Sequence, residues 1–130
     1  MKADPNPKEI EAVVTLPPFD RYKYFIKKVA DRESLYTLLS IDGDIAVSSI
    51  EEKVMVPFWP TEQYARLCLT DHWENFVVTE VSLPEFEENY LDLISTNNFL
   101  INVFPVNHKT GFIVDLEELT RDLNDELDNY

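Results

Sequence analysis

Eight residues near the middle of the chain restrict its fold more than any others: Val54-Met55-Val56-Pro57-Phe58-Trp59-Pro60-Thr61. Val54, Met55, Val56, Phe58 and Trp59 make a nearly continuous apolar run, the pattern of a strand covered on both faces. Pro57 has no N–H to give to a ladder, so it belongs at an edge, a bulge or the last paired position. Pro60 forces Trp59 to be extended and suits the start of a helix. Thr61 stands where it can cap that helix, which is expected to run to Leu69 with Tyr64, Ala65, Cys68 and Leu69 along one stripe. Held between two prolines, Trp59 is expected to point into the core.

The flanking segments supply the rest of an α+β domain. Asn6 can cap a short helix from Pro7 to about Val14. A stronger helix follows from Phe19 to about Arg32, with Phe19, Tyr22, Phe25, Ile26 and Val29 on one face. Residues 35–41 and 45–50 read as strands joined at Asp42-Gly43, a hairpin signal, and with the Trp59 stretch as the third strand they form a meander that leads into the Thr61–Leu69 helix. Beyond Trp73, residues 75–81 read as a strand, and Ser82 caps a helix with Glu85 at capping-box spacing and Leu83, Phe86, Tyr90 and Ile94 buried. A strand over 99–106, a turn at 107–111 containing His108, and a hairpin partner over 112–114 come next. Asp115 then caps a last helix with Leu116, Leu119, Leu123 and Leu127 on one side. This order predicts one domain over 1–130. Its core lies in 19–128, segment 1–18 is loosely attached, and a mainly antiparallel sheet of five to six strands is covered by helices.

Size and charge narrow the functional classes. A chain of 130 residues can bury about two-thirds of its unfolded surface, enough for a core without disulfides or metals. Its single cysteine, Cys68, excludes an internal disulfide, and no segment has the apolar length of a signal or membrane span, so a cytoplasmic protein is expected. Gly43 and Gly111 are the only glycines, which leaves no material for a phosphate-cradling loop and excludes P-loop and dinucleotide sites. The net charge is −14, and it is uneven: residues 1–33 hold seven bases against six acids, whereas 74–130 hold thirteen acids against Lys109 and Arg121. A field of that sign repels nucleic acid and anionic membrane, and a basic protein is the partner it favours. The sequence sets no oligomeric state.

The chain resembles a small bacterial family known as domain of unknown function 2750. The matching residues are Tyr24-Phe25-Ile26 with Val29-Ala30-Asp31, Asp42-Gly43, Pro57-Phe58-Trp59-Pro60 with Ala65 and Cys68, and Trp73. Further on they are Ser82-Leu83 with Phe86, and Val103-Phe104-Pro105 before Gly111 and Val114. Tyr36 and Asp44 stand where that family often has Trp. The resemblance covers roughly residues 20–123 and implies a shared fold and a bacterial origin. It carries over no chemistry and no catalytic residue.

Candidate sites are few. Cys68 and His72, at i and i+4, could share a helix face as metal ligands, but a zinc site needs two more and the remaining histidine, His108, lies in a distant turn. A nucleophilic Cys68 would need His72 as its base, yet Cys68 falls on the buried stripe. Neighbouring carboxylates such as Glu87 and Glu88, or Glu117 and Glu118, diverge around their helices instead of converging. No catalytic residue, cofactor or metal is therefore expected. Two functions fit what remains. One is a non-enzymatic interaction module, immunity-like or regulatory, that offers Glu118, Asp122, Asp125 and Glu126 to a basic partner. The alternative is a small-ligand-binding protein or weak enzyme with an aromatic pocket formed by Tyr36, Trp59 and Trp73.

Overall fold

The computed structural model describes residues 4–107 and 109–129. Pro57 decides how its strands are shared out. Backbone groups alternate sides along a strand, so in β3 (Lys53–Phe58) Pro57 faces the same neighbour, β1 (Ser34–Leu39), as Trp59 just beyond the strand end. Trp59 exchanges two backbone hydrogen bonds with Tyr36, of 2.8 and 2.9 Å. Pro57 has no N–H to extend that pairing, and its carbonyl accepts instead from the Thr37 hydroxyl at 2.8 Å. The junction stops after one residue pair, and the strands form two sheets where one was expected.

In the smaller sheet β1 runs antiparallel to β4 (Val77–Ser82), from Ser34 opposite Ser82 to Leu39 opposite Val77. The larger has the order β2 (Ser48–Ile50), β3, β5 (Leu100–Val103), β6 (Phe112–Val114). Only β3 and β5 are parallel. The predicted meander is corrected here. Asp42-Gly43 does turn the chain, with Gly43 at φ +91°, but only Ile45 pairs back onto Leu39. The returning segment is rich in small Ala46, Ser48 and Ser49, whereas β4 offers β-branched Val77, Val78, Thr79 and Val81 to the buried β1.

Among the described residues five helices cover the sheets. Asn6 caps α1 (Pro7–Val13), accepting from the Glu9 N–H at 2.9 Å. α2 (Pro18–Arg32) lays Tyr22, Phe25, Ile26 and Val29 on the core. α3 (Glu62–Arg66) is shorter than expected, and the buried Thr61 hydroxyl makes no cap bond. Ser82 accepts from the Glu85 N–H at 3.2 Å and opens α4, which runs Leu83–Glu85, widens into a π turn at Phe86–Tyr90 and resumes over Leu91–Thr96. Asp115 caps α5 (Leu116–Leu127) through the Glu118 N–H at 2.8 Å. Within segment 1–18, expected to be loosely attached, the described residues 4–18 have contacts with the body: Val13 is buried in the core, Tyr24 donates to Glu9, and Arg21 donates to the Leu16 carbonyl. No helix among the described residues is long and apolar enough to cross a membrane.

The end of β5 departs from the expected strand over 99–106. Phe104 takes φ +61°, a left-handed conformation that a bulky side chain adopts only when its surroundings impose it. Its N–H donates to the Phe58 carbonyl at 2.9 Å, its carbonyl accepts from Arg21 Nε at 3.0 Å, and its ring lies 4.7 Å from that of Tyr64. The sharp turn aims the next carbonyl, that of Pro105, back into the molecule.

Candidate functional site

That Pro105 carbonyl anchors the Trp59 side chain. It accepts from the indole N–H at 2.9 Å and from the Cys68 thiol at 3.3 Å. Trp59 is 0 % exposed and cannot touch a ligand. Trp73 meets it edge-on at 6.1 Å and 90°, is half-buried, and walls an open cleft of about 500 Å³ lined also by Ser48, Cys68, Asn102, Pro105 and Lys109. Tyr36 lies elsewhere, with its hydroxyl on Glu80 at 3.2 Å. The structure thus seals one expected pocket residue, turns a second away and leaves Trp73 at the opening. Cys68 and His72 share this cleft, while His108 lies outside the described residues.

Asn102 was missing from the expected site, although it carried a signal: one amide inside the apolar run Phe99-Leu100-Ile101-Asn102-Val103-Phe104. A buried polar side chain is more informative than any number of buried leucines. Asn102 is 3 % exposed and accepts from the Gly111 N–H at 2.7 Å.

The acidic face of the molecule centres on α4 and α5. Of the four predicted partner residues, Asp125 is exposed, while Glu118, Asp122 and Glu126 are half-buried. Asp122 is engaged within the protein, because it accepts from the Tyr22 hydroxyl at 2.6 Å where α5 packs on α2. Burial first, and then this bond, push the Tyr22 hydroxyl well above its usual pKa. Between α4 and α5 runs a groove with an apolar floor of Leu83, Phe86, Leu91, Leu119 and Leu123, about 260 Å³ in volume. It adjoins, across Leu91 and Thr120, a second hollow of about 430 Å³ floored by Ile94, Phe99 and Leu116. Glu87 stands on the α4 bank and Glu117 on the α5 bank, both exposed.

The profile of the family described as "Protein of unknown function (DUF2750)" matches residues 22–123. The chain belongs to the DUF2750 family. The matched region runs from α2 to Leu123 of α5, so it contains both the cleft and nearly all of the groove. No curated protein matches the sequence.

Within this DUF2750 domain Cys68 is a poor nucleophile at neutral pH. It is 8 % exposed, and burial pushes its thiol up to about 11. The Trp59 and Asn107 hydrogen bonds and the Arg21 charge pull the other way without offsetting burial. Among the described residues no three His, Cys, Asp or Glu side chains converge as metal ligands. The raised thiol has a consequence for stability. The unfolded chain releases this proton near the ordinary thiol value, whereas the folded one keeps it to about pH 11. Stability is therefore full below the ordinary value and falls as pH climbs toward 11, by roughly 2 kcal/mol for this group. Urea melts from neutral pH upward should show that decline. Cys68→Ala should flatten its first part, leaving the later loss due to Tyr22 and Tyr24. An unchanged slope would exclude the thiol as its source.

Proposed function

We propose that this DUF2750 protein is a non-catalytic, cytoplasmic interaction module that holds a basic amphipathic helix of a partner protein between α4 and α5. The observation that carries the reading is a groove with leucines and aromatics along its floor and a carboxylate on either bank. An amphipathic helix buries an apolar stripe in such a groove, and lysines or arginines flanking that stripe would lie beside Glu87 and Glu117. The acidic field reaches about 8 Å at physiological salt, so it speeds approach while the apolar floor holds the complex. The π turn at Phe86–Tyr90 widens the α4 wall at this point, and such turns occur frequently at functional sites. A single reduced cysteine suits the cytoplasm. An immunity-like or regulatory role, in which the module covers a basic protein, fits the same surface.

The test uses a helical peptide with leucines on one face and lysines beside them, and a second peptide of the same composition in scrambled order. The amphipathic peptide should bind, more weakly as salt rises. Glu87→Lys with Glu117→Lys should weaken it about tenfold, about 1.4 kcal/mol, with the melting temperature nearly unchanged because both side chains are exposed. Asp122 is left intact because it holds Tyr22. Equal binding of the scrambled peptide, or indifference to the double reversal, would overturn the groove as the site.

A further inference from the structure

The cleft beside Trp73 lies apart from the acidic groove, and its buried polar groups have a common chemical sense. Asn102 must turn its amide oxygen toward Gly111, because the Gly111 N–H can only donate. Its Nδ2 group is thereby left on the other side with no hydrogen-bond partner among the described residues, and it is not one of the fully enclosed polar atoms. Ser48 lines the same cleft, and its hydroxyl oxygen is buried without a partner. At the mouth Lys109, one of two bases beyond residue 73, has no ion-pair partner among the described residues. The carbonyl of Pro105, which also lines the cleft, already accepts from Trp59 and Cys68. Asp71 stands at the lining as the one carboxylate there, and it is itself engaged within the protein.

An unpartnered buried donor costs free energy unless a ligand or water satisfies it. Here the Ser48 hydroxyl is such a group, and the Asn102 amide and the exposed Lys109 ammonium have further protons to offer beside the half-buried Trp73. We propose that the cleft binds a small planar carboxylate, with the carboxylate end on Asn102 Nδ2, Ser48 Oγ and Lys109 Nζ and the ring against Trp73. A volume of about 500 Å³ falls within the range of small-molecule sites. The net charge of −14 repels anions at long range, so the local donors must supply the selectivity, and the geometry of a carboxylate suits two neutral donors and one cation. This site is independent of the groove between α4 and α5 and stands or falls separately from it.

Benzoate and indole-3-acetate serve as probes, with benzylamine as the cationic counterpart of similar shape. Trp59 and Trp73 are the two tryptophans of the chain, and Trp59 is sealed, so a quench of accessible tryptophan fluorescence reports Trp73. Saturable quenching by the carboxylates, with shifts of the Asn102 side-chain amide and the Trp73 indole N–H in nitrogen–proton spectra, is the expected result. Asn102→Asp keeps an acceptor for Gly111 and replaces the free donors with an acceptor, so affinity should fall at least tenfold. Should that variant fail to fold, Lys109→Ala decides, since its side chain is exposed; a loss of several-fold is expected. Benzylamine binding as well as benzoate, no saturation by either carboxylate, or full affinity in Lys109→Ala would each overturn the proposal.

Discussion

Trp59→Ala should lower the stability of this protein by about 3–5 kcal/mol, as large-to-small changes in packed cores do. The residue is 0 % exposed and has three separate attachments. Its backbone joins the two sheets by pairing with Tyr36, its indole N–H donates to the Pro105 carbonyl at 2.9 Å, and its ring packs edge-on against Trp73. Alanine keeps the first and loses the other two, leaving a cavity between α3 and the end of β5. Trp59→Phe separates the contributions. It restores most of the apolar volume and leaves the Pro105 carbonyl with the weaker Cys68 donor alone, so its cost should be about 1–2 kcal/mol. Urea melts of the three proteins give the comparison. An alanine variant within error of the parent would mean that the core is centred elsewhere.

The elements that the residues specify locally are the ones that were legible. Asn6, Ser82 and Asp115 each cap the helix expected of them, because a short polar side chain before a periodic apolar run meets its own N–H donors within three residues. Strand pairing was less legible. Asp42-Gly43 marks a turn, but which strand then lies beside β1 is a contest between distant segments, and β4 wins through its β-branched residues. Pro57 was expected at an edge, a bulge or a last paired position, and its missing N–H proves to end the pairing of β3 with β1. The turn at Phe104 had no local signal, since its φ of +61° is imposed by Arg21, Phe58 and Tyr64 from other elements.

The candidate sites divide in the same way. The acidic character of α4 and α5 could be read directly from charge and helical period. The groove between them depends on how two helices cross and could not. For the cleft, the aromatic residues drew attention because they are large, yet Trp59 and Tyr36 are committed to packing and to Glu80. The more useful mark was Asn102, a polar residue where strand period and burial both call for an apolar one. Its role depends on Gly111, nine residues away across a hairpin.

Gly111 is also where the second large effect is expected. A Cβ built there would lie inside the contact shell of the Val103 carbonyl oxygen, 2.7 Å from the Val103 carbonyl carbon and 2.8 Å from that of Phe104. Each of these is backbone, so no side chain can swing away to make room. Gly111→Ala must therefore push β6 from β5 or distort the Phe104 turn, and a cost of at least about 3 kcal/mol is expected, at the upper end for overpacking. Gly43 provides the contrast. Nothing lies within 4 Å of a Cβ there, and the difficulty is its φ of +91° alone, so Gly43→Ala should cost about 1–2 kcal/mol. The two variants also differ in what they disturb. A shift at Gly111 reaches Asn102 through their 2.7 Å bond, and a shift at Phe104 reaches Trp59 and Cys68 through the Pro105 carbonyl. Gly111→Ala should therefore change tryptophan fluorescence in the native state and speed the alkylation of Cys68, while Gly43→Ala leaves both unchanged. Equal costs for the two alanines, with the Cys68 rate unmoved, would show that the hairpin from β5 to β6 yields easily and that Gly111 is not what sets the cleft floor.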